Sequence, residues 1–462
     1  MPLSSSRTER VALLVAALAS FLTPFMGAAT NVALPSIGRE FAMDAPMLGW
    51  VPTAYLVAAA VFLVPFGRIA DIHGRKRVFT WGIFAFTAAS LLCSVSPSAS
   101  FLIGARLLQG VGGAMMFGTN VAILTSVFPA EKRGAALGVN VAAVYLGLSL
   151  GPFLGGLLTE SFGWRSLFQV NVVLGLLLGA AVLRGLRGEW IEARGEAFDL
   201  LGSVLYGSGL AALMYGISRL PSRSGTWLIV AGLGALAAFV RWELEVRSPV
   251  LNMALFAENR VFALSNLAAL INYSATFAVG FLLSLYLQYV KGLSPQAAGV
   301  VLVSQPVVMT AVSPFAGRLS DRMESRLVAS AGMALIVVGL AWLAWLTEGT
   351  PTSHIVACLV LLGCGFGLFS SPNTNAVMSS VARRSYGVAS ATLATMRLSG
   401  QMLSMGVAML LLALFVGRTQ ITPVQHPALL AGTRIAFGVF SLLCVLGTFA
   451  SLARGRSDSI RS

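Results

Sequence analysis

The sequence predicts an all-α polytopic membrane protein of fourteen spanning helices, arranged as two six-helix halves plus two extra linking helices. Three observations predict it. Of 462 residues, 57% are hydrophobic and only 10% charged, against about 25% charged in an ordinary soluble chain, and mean hydropathy is +0.84. The 31 Lys and Arg lie almost entirely between long apolar runs, each near the roughly 20 residues that cross a bilayer. A charged turn, Gly-Arg-x-x-Asp, occurs after the second run at Gly67 and again after the tenth at Gly317, as an internal duplication would leave it.

Reading the apolar runs against Gly, Pro and charged breaks places the first six spans near 11–37, 46–69, 78–96, 100–127, 134–159 and 165–184. The first starts behind Arg7 and Arg10 like a secretory leader. Its apolar run continues to Ile37 without a small-residue cleavage site, so it is kept as a span. A polar stretch, Arg184 to Phe198, holds Trp190 and Ile191 among charges; it reads as a tether, with an interfacial segment as the alternative. Two extra spans follow near 199–218 and 226–242, then a second polar stretch, Arg241 to Arg260. The last six spans fall near 261–290, 294–316, 326–346, 353–379, 385–416 and 431–453. The chain thus divides into a first half (1–184), a linker with the extra pair (185–260) and a second half with its tail (261–462). Neither polar stretch is long enough to fold alone.

Charge placement orients the spans. Twenty-two Lys and Arg, including Arg75, Arg247, Arg322, Arg383, Arg384, Arg456 and Arg461, fall on the side of the N-terminus; seven fall on the other side, and Arg106 and Arg397 lie within spans. This bias puts both termini in the cytoplasm. It accounts for the net charge of +14 without nucleic acid as a partner. The four cysteines sit singly in apolar runs, and there is no His/Cys/Asp metal set, nucleophile elbow or phosphate loop. We therefore expect no metal, no cofactor and no enzyme activity.

Within the spans, polar residues stand out. A charge inside an apolar run is costly unless it faces a cavity or a partner. Arg106 and Arg397 are thus candidate cavity residues, with pairing to a span-internal Asn or Gln as the alternative. Gln109, Asn31 and Asn140 are candidates beside them, and Tyr145 and Tyr273 supply aromatic wall. Gly147, Gly151 and Gly155 recur every four residues, so they line one helix face and admit another backbone. Pro152 bends that helix by removing a backbone donor.

The order of these motifs resembles the major facilitator superfamily, and within it the fourteen-span drug/proton antiporter group. The turn Gly67-Arg68-Ile69-Ala70-Asp71-Ile72-His73-Gly74-Arg75-Lys76 is similar to the family's loop signature. Arg106-Leu107-Leu108-Gln109-Gly110 is similar to its span-four element, and Gly147-x-x-x-Gly151-Pro152-x-x-Gly155-Gly156 to its exporter signature. Weaker matches are Asn31 to Pro35, Trp164-Arg165, Phe198 to Gly202 and Tyr286-Leu287-Gln288. The resemblance implies a latch between the halves at Gly67, Asp71, Gly74 and Arg75, with Asp321 and Arg322 as a looser second copy. It also implies an exporter hinge at the span-five glycines. One departure is plain: Met26 stands where the family pattern has an acidic residue, and all seventeen Asp and Glu lie in loops or at span ends. A buried carboxylate is the usual attractor of a cationic drug. The expectation is therefore a monomeric alternating-access exporter of neutral or anionic amphipathic small molecules in a bacterial or archaeal cytoplasmic membrane. It exchanges them for protons, with Asp71 or Glu160 as carrier. The alternative is a proton-linked importer of an organic acid.

Overall fold

The computed structural model describes residues 3–246, 249–251, 253–382 and 386–455; for 3–7, 130, 131, 254 and 321 it describes the backbone alone. Arg247, Arg383, Arg384, Arg456 and Arg461 thus lie outside the described residues, as does the Asp321 side chain.

Fourteen helices are long and apolar enough to cross a membrane. They are α1 (Leu3–Glu40), α2 (Ala45–His73), α3 (Arg75–Ser94), α4 (Ala99–Val127), α5 (Ala130–Phe162), α6 (Arg165–Gly185), α7 (Leu200–Arg219), α8 (Arg223–Glu243), α9 (Arg260–Val290), α10 (Pro295–Ser320), α11 (Ser325–Leu343), α12 (Thr352–Ser379), α13 (Tyr386–Phe415) and α14 (His426–Ala453). The expected boundaries hold to within a few residues except where a helix runs on past the apolar region. The start of α14 is one such case: Pro427 suits a first helical turn, where the missing N–H has no intrahelical partner anyway. Phe277 interrupts α9, which closes in a π-turn at Tyr286–Val290, a rare winding often found at functional positions.

Packing repeats with the sequence. α1 lies on α5 as α9 lies on α13; α2 and α3 lie on α4 as α10 and α11 lie on α12; α3 meets α6 as α11 meets α14. The duplication legible in one short motif is therefore a duplication of helix packing. Between the halves, α2 meets α13 and α5 meets α10.

The extra pair forms a hairpin against α2 and α13. Its base carries two buried carboxylates, which the hydropathy pattern had marked only as span ends. Asp199, 8% exposed, caps α7 by accepting from Gly202 N at 2.9 Å and accepts from Trp242 Nε1 at 3.0 Å. Glu243, 4% exposed, accepts from Leu251 N at 2.8 Å and so ties α8 to the chain that leads into α9.

Candidate functional site

The turn between α2 and α3 is built around Gly74, whose φ of 118° suits glycine alone. A Cβ there would lie 2.5 Å from the Glu189 carboxyl carbon. That carboxylate accepts from Lys76 N at 2.8 Å and Arg77 N at 3.1 Å, satisfying free donors at the start of α3. Gly67 sits where α2 and α4 approach closely: a Cβ on Gly118 would fall 3.5 Å from Gly67 Cα.

Arg75 is the centre of the cluster. Its Nε donates to Asp71 Oδ1 at 2.8 Å and its Nη1 to Ser126 Oγ at 2.8 Å. Its two Nη atoms fork onto both Glu192 oxygens at 2.6 Å each, the strong bidentate geometry of arginine and carboxylate. The backbone follows the same path: Arg75 N donates to Trp190 O, and Glu192 N and Ala193 N both donate to Asp71 O. Arg68 pairs with Glu196. The stretch expected to be a free tether is therefore a strap, docked along the charged turn by its three glutamates. Its partners come from the first half and the linker, and Arg322 of the second copy is exposed and forms no ion pair among the described residues.

Among the described residues, no hydrogen bond joins the two halves at this arginine-rich end. The opposite end is closed. Ser284 Oγ donates to Asn31 O at 2.7 Å, Gln288 Nε2 to Val32 O at 2.8 Å, and Tyr289 OH to Pro35 O at 3.5 Å. Gln296 N donates to Glu160 at 3.0 Å and Ala45 N to Thr419 O at 3.1 Å. Two weak motifs, Asn31 to Pro35 and Tyr286 to Gln288, thus meet as the two sides of one seal. The α5 glycines divide between two contacts. Cβ atoms on Gly147, Gly151 and Gly155 would meet α1 at 2.5–2.6 Å, whereas Gly156 would meet Pro295 O at 2.5 Å and Gly299 would meet Pro152 O at 2.2 Å across the halves.

The two span-internal arginines differ. Arg106, 1% exposed, lies in the packed interior of the first half: Nε donates to Val51 O at 3.1 Å, Nη1 to Gln109, and the guanidinium sits 4.8 Å from the Tyr55 ring centroid. Gln109 donates on to Ser90, which Asn171 also meets. Asn140 is likewise internal, accepting from Ser20 and Asn120. Arg106, Gln109 and Asn140 are thus buried among other polar groups of the first half. Arg397 is different. It is half-buried on α13, donates Nη2 to Thr374 at 2.7 Å, leaves Nε without a partner, and lies 5.8 Å from the Tyr273 centroid. Phe366 stacks edge-on to Tyr273 at 5.3 Å, and Tyr145 of α5 is an electrostatic neighbour of Tyr273 from the other half. Asn31 lies at the sealed end, with a buried Oδ1 that has no partner.

Sequence reasoning missed a third arginine. Arg454, at the end of α14, is 2% exposed and donates to Asn373 at 2.9 Å and Ser265 at 3.2 Å. Burial and the nearby Arg326 pull its guanidinium down to about 10. Its position just past the last apolar run hid it among tail charges.

A family model described as the Major Facilitator Superfamily matches residues 16–405. The chain belongs to that superfamily. It is a membrane transporter, integral and multi-pass, and not an enzyme. Among superfamily relatives, the cephamycin export protein of Amycolatopsis lactamdurans is 34% identical over 470 residues, covering 98% of this chain and 95% of that one. The riboflavin transporter of Clostridioides difficile (strain 630) is 31% identical over 390 residues, 84% of each chain. A multidrug resistance protein of Mycobacterium tuberculosis (strain CDC 1551 / Oshkosh) is 31% identical over 421 residues, 90% of this chain and 78% of that one. The solved structure of a bacterial homolog of the human lysosomal transporter Spinster superposes with a TM-score of 0.71 at 15% identity, covering 98% and 97%. The superfamily fold is thereby shown for the whole chain.

Proposed function

We propose that this superfamily member is a monomeric exporter of neutral or anionic amphipathic small molecules, working by alternating access in antiport with protons. The observation that carries the reading is Arg397, a half-buried guanidinium with an unpartnered Nε beside Tyr273; the halves are hydrogen-bonded at one end and, among the described residues, not at the other, and we read the space between them as a gap. An uncompensated arginine beside an aromatic ring favours anions and planar apolar groups and disfavours cations. The charge bias supports a cytoplasmic arginine-rich end, so the gap faces cargo to be exported. Relatives named for cephamycin export and multidrug resistance support the direction. Asp71, held in the Arg75 cluster, is the proposed proton carrier.

The test is proteoliposomes with a trapped pH dye under an imposed gradient, challenged with cationic, neutral and anionic amphiphiles. We expect anionic or neutral compounds to trigger proton movement, with the response to anionic compounds weakened most in Arg397→Ala. Proton movement triggered by cations alone overturns the reading. The second reading is a proton-linked importer of an organic acid using the same arginine, since one relative is named only as a riboflavin transporter, with no direction in the name; the direction of counterflow with labelled cargo decides between them.

A further inference from the structure

The packing repeat makes the two lateral seams between the halves, α2 with α13 and α5 with α10, counterparts of one another. The extra pair removes that equivalence. Along the first seam α7 stands across both helices: Tyr206 OH donates to Ala60 O at 3.1 Å, a Cβ on Gly207 would lie 2.9 Å from Val61, and one on Gly406 of α13 would lie 3.3 Å from Met214 and Ile217. Val57, Ala60 and Val64 of α2, Tyr206 and Met214 of α7, and Met402 of α13 form one buried apolar cluster.

The second seam has no such cover among the described residues. At 3.6 residues per turn, Gly138, Tyr145, Ser149 and Gly156 share one face of α5. Near the sealed end that face touches α10 through Gly156 and through Ser149, 3.4 Å from Thr310. Beyond Ser149, toward the arginine-rich end, no hydrogen bond joins α5 to α10 among the described residues. Cβ atoms on Gly138 and Gly134 would meet nothing within 4 Å. Val141 on α5 is 47% exposed and Pro314 on α10, one turn past Thr310, is exposed, with Arg318 exposed a turn further on.

We propose that the α5–α10 seam is a one-sided lateral portal, through which an anionic amphiphile dissolved in the leaflet at the arginine-rich end enters the gap, and that Gly138 is its threshold. Apolar walls suit the chain of such a molecule, and Arg318 at the rim and Arg397 inside suit its head. Because α7 fills the opposite seam, entry from the bilayer has one side. The inference rests on the proposed function for its cargo but not for its geometry.

Two measurements on the reconstituted full chain test it. A nitroxide at Gly138→Cys is expected to collide with dissolved oxygen several-fold more often than one at Leu398→Cys, which packs at the covered seam; equal values overturn the portal whether or not any cargo moves. Transport is then followed with dansylated alkanoates of four to twelve carbons. Gly138→Trp is expected to slow the twelve-carbon probe about tenfold while leaving the water-soluble four-carbon probe unchanged, as a block of one entry route does. Leu201→Trp, on the exposed side of α7, is expected to change neither. Equal slowing of both probes by Gly138→Trp, or slowing of neither, overturns the portal. High oxygen accessibility at Gly138 with no probe transported leaves the portal standing and removes the cargo assignment.

Discussion

Arg397 carries a buried Nε with no partner among the described residues, so its removal is expected to act on cargo before it acts on folding. A hydrogen bond to a charged group contributes about 1.5–3 kcal/mol, so Arg397→Ala is expected to raise KM for an anionic probe about 10- to 100-fold, with a smaller change for a neutral one; initial-rate transport checks this. Glu243 makes the opposite prediction. Its carboxylate holds Leu251 N in a buried site, and Glu243→Leu leaves that donor unmet at a cost of about 1–3 kcal/mol. The purified protein is expected to melt lower, and Glu243→Gln, which keeps an acceptor, is expected to melt close to the parent. These two residues also show what the sequence conceals. Arg106 and Arg397 look alike as charges in apolar runs, and only their neighbours separate them: Val51 O, Gln109 and Tyr55 absorb one, while the other has one hydrogen bond, to Thr374, and lies by Tyr273. Glu243 hid because a carboxylate at the end of an apolar run is ordinarily solvated.

The strap and the hinge are properties of elements. Glu192 holds both Nη atoms of Arg75, so Glu192→Gln is expected to leave Arg75 to Asp71 and Ser126, loosen the strap and shift the population toward closure at that end. The Glu192 side chain is 64% exposed and water screens it, so the shift is about 1 kcal/mol, roughly fivefold in the ratio of states. Distance distributions between spin labels on the two charged turns read it directly. On α5, Gly156→Leu drives a side chain into the Pro295 carbonyl across the halves. Overpacking of this kind costs about 1–3 kcal/mol and is paid only when the far end is shut, so the variant is expected to insert normally, favour far-end opening and transport poorly. Helix number, order and limits were legible because each span repeats the same long apolar signal. The strap was not legible, because residues 189–196 carry charges without periodicity and take their path from Asp71 and Arg75, more than a hundred residues earlier.

At the scale of the whole molecule, the repeat supplies two matching halves and the extra pair makes their surroundings unequal. Deleting the pair is therefore expected to do more than shorten the chain: it strips the cover from Ala60, Val64 and Met402. The two seams of such a variant are expected to give equal oxygen accessibility. The far-end seal carries a different lesson. Where α9 meets α1, its donors are the side chains of Ser284, Gln288 and Tyr289, but its acceptors are main-chain oxygens of Asn31, Val32 and Pro35. A main-chain oxygen is present whatever residue occupies the position. The two faces of the seal therefore differ in mutational tolerance: α1 can drift in sequence and keep its half of every bond, whereas α9 loses one with each donor replaced.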